Sequence, residues 1–238
     1  MDFTLFLPCN MYFPCMKADP KKEAERYVKG LIEKGENQQL DFKYEISDAK
    51  KMAKTFSAFA NTKGGKLLIG VKDNGKISGV SSEEEAYMAE SAAHIFCKPA
   101  VNFSLKKWTV EGKNILEVQI PSSRQKPHFA KDDKGNWIAY VRVGDQNIKA
   151  NRILIDVWKN EGKQRGVWLN YGKEEKILIE YLNENRMISL SKFIRIARID
   201  RNRAEKILVK LISIKVIIVE ISETTTYFLL NPLNDSTV

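Results

Sequence analysis

The stretch Leu40–Val80, LDFKYEISDAKKMAKTFSAFANTKGGKLLIGVKDNGKISGV, decides the fold. It reads as strand, helix, strand, turn and strand. Leu40, Phe42, Tyr44 and Ile46 alternate with Asp41, Lys43 and Glu45, the two-residue period of a half-buried strand. Ser47 or Asp48 stands where a side-chain oxygen caps a helix by accepting its orphan N–H groups. Met52, Ala53, Phe56, Phe59 and Ala60 then recur at helical spacing as one apolar stripe. Asn61, Gly64 and Gly65 stop the helix, because glycine accepts the left-handed conformation that ends helices. Lys66–Val71 is apolar on both faces and predicts a central strand. Asp73-Asn74-Gly75 predicts a tight hairpin turn.

Outward from this stretch, Ala24, Tyr27, Val28, Leu31 and Ile32 form one face of a helix from Pro20 to about Lys34, ended by Gly35. A second helix is expected over about Glu83–Phe96, with Ser81 or Ser82 as cap and three glutamates at its positive N-terminal end. Strands follow at Val101–Val110 and Asn114–Ile120, joined by the Glu111-Gly112 turn. Pro121–Lys134 reads as a polar loop holding Arg124, Lys126 and His128, ahead of a strand at Trp137–Val143 and an amphipathic helix at Asn151–Lys159. Hairpins mixed with crossovers predict an α+β domain, a mixed sheet flanked by helices.

The last part changes character. Helices are expected at Glu174–Asn183, at Ser189–Ala197 and from Arg201 to about Ile212, the last capped by Asp200, and then a hairpin of Val216–Glu220 and Thr224–Leu230. Three helices and a hairpin in this order resemble a winged helix-turn-helix. From Arg186 to Lys215 there are nine Lys or Arg residues against Asp200 and Glu205. Arg201, Asn202, Arg203 and Lys206 point outward on the third helix and are of the types that reach phosphates and base edges. A dimerisation module with a solvated basic face is the competing reading.

The expected domains are an irregular leader at 1–19, an α+β domain at 20–161, a linker at 162–173 and the winged helix at 174–232. The leader is apolar but broken by Pro8 and Pro14, lacks a signal peptide's basic start and is too short to span a membrane. Met16 reads as a natural start, so the leader is expected to be a mis-assigned start or an extension. The formal net charge of +9 favours anionic partners. Cys9, Cys15 and Cys97 form no CxxC pair, and with only His94 and His128 beside them a structural zinc is not expected. So sparse a cysteine set suits a reducing cytoplasm.

Three runs carry a family resemblance: L-D-F-K at 40–43, S-A-F-A-N-T-K-G-G at 57–65 and L-L-I-G-V-K-D-N-G-K-I-S-G-V at 67–80. They resemble the AlbA-like domain of the Schlafen type. Pro127-His128-Phe129 and Tyr140-Val-Arg-Val-Gly144 are similar to that family's closing strands, so the likeness spans roughly 36–152. The family includes DNA-binding proteins, regulators and nucleases. Its nucleases carry an acidic trio, and Glu36, Asp41 and Asp73 fall on those positions, with Asp41 where glutamate is usual. The resemblance thus implies a candidate catalytic and metal site. Clustered carboxylates hold Mg²⁺ or Mn²⁺, which polarise phosphate and activate water. The competing reading is a hairpin turn for Asp73 and surface charge for Glu36 and Asp41.

Phosphate-binding candidates in this domain are Lys43, Lys63, Lys66, Arg124 and Arg142. Gly64-Gly65 reads first as a helix stop, since no GxxxxGK[ST] is present. The expectation is a cytoplasmic nucleic-acid-binding protein, DNA ahead of RNA, acting in transcriptional regulation, with no membrane and with homo-oligomer formation left open. A metal-dependent Schlafen-like ribonuclease or endonuclease is the alternative, and an assembly or nucleotide-binding module the second.

Overall fold

The computed structural model describes residues 20–161 and 171–232; the leader expected at 1–19 and the linker residues 162–170 lie outside the described residues. In chain order the elements are α1 (Pro20–Glu33), β1 (Leu40–Lys43), α2 (Ala49–Asn61), β2 (Gly65–Ile69), α3 (Ser82–His94), β3 (Cys97–Lys98), β4 (Ser104–Val110), β5 (Lys113–Ile120), β6 (Phe129–Lys131), β7 (Trp137–Val143), β8 (Gln146–Lys149) and α4 (Arg152–Glu161). Then come α5 (Lys173–Glu184), β9 (Ile188–Ser189), α6 (Leu190–Ala197), α7 (Arg201–Ser213), β10 (Ile217–Ile221) and β11 (Thr226–Leu230).

Two four-stranded sheets enclose α2. The first has the order β1-β2-β5-β4 and is mixed, since β1 lies parallel to β2 while β2, β5 and β4 are antiparallel. The second, β3-β6-β7-β8, is antiparallel. The double-sided apolar run does mark a central strand: β2 lies between β1 and β5. Its Leu67 and Ile69 join the core with α2, while Leu68 joins the one beneath α1, as the alternation of side chains across a strand requires. Tyr27, Val28, Leu31 and Ile32 of α1 cover Leu40, Phe42, Leu68 and Ile115 on the outer face of the first sheet.

The caps follow from sequence. Asp48 accepts a hydrogen bond from Lys50 N, and Asp200 from Arg203 N. Gly64 follows α2 with φ +72°, and its N–H donates to Phe59 O at 2.9 Å, which closes the helix.

Four expectations need correction. The first strand ends at Lys43, and Tyr44 is 50% exposed, because after Lys43 the chain turns away from β2. The α2 stripe is not one face: ten of its residues, from Ala49 to Asn61, are buried, since sheets lie on both sides. Ser81 precedes α3 without a side-chain cap bond. Pro121–Lys134 is not simply a polar loop, because it contains β6 and the buried Pro127 and His128.

What binds α2 to the second sheet is polar. Ser57 Oγ donates to His128 O at 2.8 Å and accepts from Tyr140 N at 3.1 Å. Asn61 Nδ2 donates to His128 O at 2.8 Å and Tyr140 O at 3.0 Å, and Asn61 Oδ1 accepts from His128 N at 2.8 Å. Backbone groups facing a helix have no ladder partner, and two short side chains supply one.

The C-terminal unit consists of helices and a small antiparallel sheet of order β10-β11-β9. Its core holds Leu178, Leu182, Phe193, Leu208, Leu211 and Phe228. Ile153 and Val157 of α4 belong to this core, so the helix that follows the second sheet packs into the C-terminal unit. Asn151 Nδ2 donates to Thr226 Oγ1 at 3.0 Å and adds a polar tie to β11.

Candidate nucleic-acid interface

The acidic trio does not assemble. Glu36 and Asp41 do meet: the chain bends back at Gly35, where φ is +65°, and sets the two carboxyl groups beside one another. Glu36 Oε1 also accepts from Phe42 N at 2.8 Å. Burial, and then Asp41 beside it, raise the Glu36 pKa above the usual value. Asp73 lies elsewhere, in the exposed turn beyond the C-terminal end of β2. Among the described residues no three His, Cys, Asp or Glu side chains gather so as to hold a metal ion. Asp41 is already neutralised, with Arg142 Nη2 3.1 Å from its Oδ1 and Lys43 Nζ 3.1 Å from its Oδ2. The donor set does not fit Mg²⁺ or Mn²⁺, which needs convergent oxygens that are not spent on ammonium and guanidinium groups.

Arg142 is likewise not a phosphate ligand here. It is 3% exposed. Its guanidinium donates to Asn37 O, Leu40 O, Asn147 Oδ1 and Asp41 Oδ1 at 3.1–3.3 Å, and lies 5.2 Å from the centroid of the Phe59 ring. The residue ties the Asn37–Asp41 segment to β7. Sequence shows a basic residue beside a glycine; the partners that bury it come from about one hundred residues away.

The remaining basic candidates of this domain differ in availability. Lys66 is bound inside a cluster: its Nζ is 3.0 Å from Glu117 Oε1 and donates to Tyr27 OH. Trp108 Nε1 donates to Glu117 Oε2 at 2.6 Å, and Glu117 itself is 4% exposed. Lys43 is exposed yet engaged with Asp41, while Lys63 and Arg124 are exposed. His128 is 2% exposed, with Nδ1 3.0 Å from Pro99 O, and burial pushes its pKa down. Such a histidine is a neutral packing residue.

The C-terminal candidates lie together on α7. Ala204, Ile207, Leu208 and Leu211 face the core, and Glu205 and Val209 are also buried. Arg201, Asn202, Arg203 and Lys206 are all exposed. Arg201 Nε is 2.8 Å from Glu205 Oε1 and Arg203 Nη2 is 2.8 Å from Glu174 Oε1. Asn202 and Lys206 line a cleft whose other wall carries Arg152, Asp156, Lys159 and Glu161 of α4, a wall of mixed charge. The two acids of the α6–α7 segment are consumed internally. Asp200 caps α7, and Glu205 is buried between Arg201 and Arg152, the latter at 3.8 Å. Arg186, Arg195 and Arg198 are exposed beside them, so the outward charge of α6 and α7 is positive.

Comparison with known proteins bears on the first domain. Residues 36–151 match the family described as Schlafen, AlbA_2. The chain therefore carries a Schlafen/AlbA_2 domain in that segment, as the three quoted runs imply. The C-terminal unit lies outside the match. Among solved structures, the DIP2311 protein from Corynebacterium diphtheriae is 19% identical with a TM-score of 0.41, over 63% of this chain and 34% of that one. The N-terminal domain of a RecG-related protein from Nitrosomonas europaea is 22% identical with a TM-score of 0.38, over 63% of this chain and 96% of that one. This chain thus spans only 34% of the DIP2311 protein. No curated protein matches the sequence. No helix among the described residues is long and apolar enough to cross a membrane.

Proposed function

We propose that this protein binds nucleic acid, duplex DNA ahead of RNA, through its C-terminal unit, and acts as a transcriptional regulator. Support for this reading comes from the order α5, β9, α6, α7 and a β10–β11 hairpin, with β9 paired to β11, which resembles a winged helix-turn-helix. In that layout α7 takes the place of the helix that enters the major groove. The observation that carries the reading is the fate of the two acids. Asp200 is spent as a cap and Glu205 is buried in an ion-paired cluster, while Arg195, Arg201, Arg203 and Lys206 of α6 and α7 are exposed. A surface of that kind attracts a polyanion by releasing its condensed counterions. Asn202 is suited to a bidentate contact with adenine, and Lys206 to phosphate or guanine.

The test is a titration of the intact protein with labelled duplex DNA and with single-stranded RNA. Asn202→Ala with Lys206→Ala should weaken duplex binding at least about tenfold, since one good base contact is worth about 1–3 kcal/mol. Both positions are exposed, so the melting temperature should hold. Unchanged duplex affinity in the double variant would remove α7 from the interface. Tighter binding to single-stranded RNA than to duplex would overturn the DNA assignment.

A further inference from the structure

On the first domain, the outer face of the mixed sheet is only partly covered by α1. Beyond the end of α1 a groove of about 360 Å³ remains, floored by Gly64, Gly65 and β5 and walled by Lys34, Lys63 and Lys66. That volume lies within the range of small-molecule sites. Three ammonium groups border it, and no carboxylate is among its lining residues. Of the three, Lys66 is held by Glu117 and Tyr27. The side chains of Lys34 and Lys63 are exposed and form no hydrogen bond or ion pair among the described residues.

The amides around the groove are fixed in place. Gln39 Nε2 donates to Lys63 O at 3.1 Å, and Asn37 Oδ1 accepts from Gln39 N at 2.9 Å. These bonds hold the segment after α1 against the turn after α2, so Lys34 and Lys63 are brought to one groove by two separate elements. The floor is close-packed backbone. A Cβ added at Gly64 would meet Ile120 O at 2.7 Å, and one at Gly65 would meet the Phe59 ring at 2.6 Å. Glycine at both positions lets the main chain pack this closely and keeps the floor of the groove rigid. Leu31, Leu40 and Pro121 add apolar surface beside the lysines.

We propose that this groove binds the phosphate of a nucleotide, with Lys34 and Lys63 as its ligands. The ligand is one nucleotide unit, because the volume takes no more and because apolar wall and ammonium pair lie side by side. The phosphate belongs either to a free nucleotide or to the 5′ end of a strand. The Gly64 N–H takes no part, since it already donates to Phe59 O; the lysines carry the charge recognition. This site is separate from α7 and does not depend on the C-terminal reading.

The experiment is an amide chemical-shift titration of the intact protein with adenosine 5′-diphosphate, with a short 5′-phosphorylated deoxythymidine oligonucleotide, and with the same oligonucleotide lacking that phosphate. Saturable shifts at Gly64 and Gly65 are expected with a phosphorylated probe. Lys34→Ala with Lys63→Ala should weaken that binding about fivefold to tenfold, the loss of two partly exposed charge contacts. Asn202→Ala with Lys206→Ala should leave it unchanged. Saturation by the diphosphate identifies a free nucleotide, and saturation by the phosphorylated strand alone identifies a strand end; either supports the site. No shifts at Gly64 and Gly65 with any probe would overturn the proposal. So would equal shifts from the unphosphorylated strand, or unchanged affinity in the double lysine variant.

Discussion

Replacing Gly64 by alanine tests how α2 is joined to the first sheet. Gly64 has φ +72°, where a β-carbon costs about 1–2 kcal/mol. That part is not unique, because Gly112 has φ +73° in the β4–β5 turn. The surroundings are what differ. A Cβ at Gly112 meets nothing within 4 Å, whereas one at Gly64 meets Ile120 O at 2.7 Å, Ser122 N at 2.8 Å and Pro121 C at 3.1 Å. All three atoms are backbone at the end of β5, and none can rotate away. Overpacking of this kind adds about 1–3 kcal/mol. Gly112→Ala should therefore lose about 1–2 kcal/mol and Gly64→Ala about 2–5 kcal/mol. For a chain of this size each kcal/mol is about 2–4 °C in melting temperature. Thermal and urea unfolding of the two variants, followed by circular dichroism, give the comparison. A Gly64→Ala loss no larger than that of Gly112→Ala would show that the chain does not pass against Ile120 and Ser122 as described. Gly64→Val should be worse still, since a branched side chain tolerates positive φ less well.

Other outcomes follow from the polar interior. Asn61→Ala strips partners from His128 and Tyr140 and should cost about 2–4 kcal/mol in urea unfolding, the scale for buried groups left unpaired. Arg142→Met leaves Asp41 facing Lys43 alone and should destabilise by about 3–5 kcal/mol, with DNA affinity of the folded fraction unchanged. The Glu36 pKa is raised on folding, so the folded state holds its proton more tightly. Stability should then fall as pH rises from 4.5 through the raised value, and Glu36→Gln should flatten that slope in a pH series of melting temperatures. The His128 pKa is depressed, so the unfolded chain binds the extra proton. Stability should drop as pH falls through 6.5, and less steeply in His128→Gln.

Local chemistry was legible, and distant partnership was not. The caps Asp48 and Asp200 and the helix stop at Gly64 are decided within a few residues of chain, and each appears in the structure, whereas the period-two run holds only over Leu40–Lys43 and burial on α2 extends beyond its apolar stripe. The fully buried nature of α2 was hidden, because Thr55, Ser57 and Asn61 are polar residues that a sequence alone leaves to solvent. They are polar because they bind backbone of the second sheet and Asn147. The short strands β3, β8 and β9 carry too few residues to show a period. Of the candidate site, the pairing of Glu36 with Asp41 follows from the glycine bend, but Arg142 as its neutraliser lies on β7 and is invisible locally. Lys34 was missed altogether, since a lysine at the end of an amphipathic helix looks solvated until Lys63 is placed beside the same groove.

The central claim is that the C-terminal unit binds duplex DNA by charge on α6 and α7. Its most direct measurement is the salt dependence of duplex affinity for the intact protein and for Arg195→Ala with Arg198→Ala and Lys206→Ala. The parent should show a steep negative slope of log K against log salt. Each phosphate contact removed should reduce that slope by about 0.9, so the triple variant should lose about two to three in slope. An identical slope in parent and variant would contradict the account.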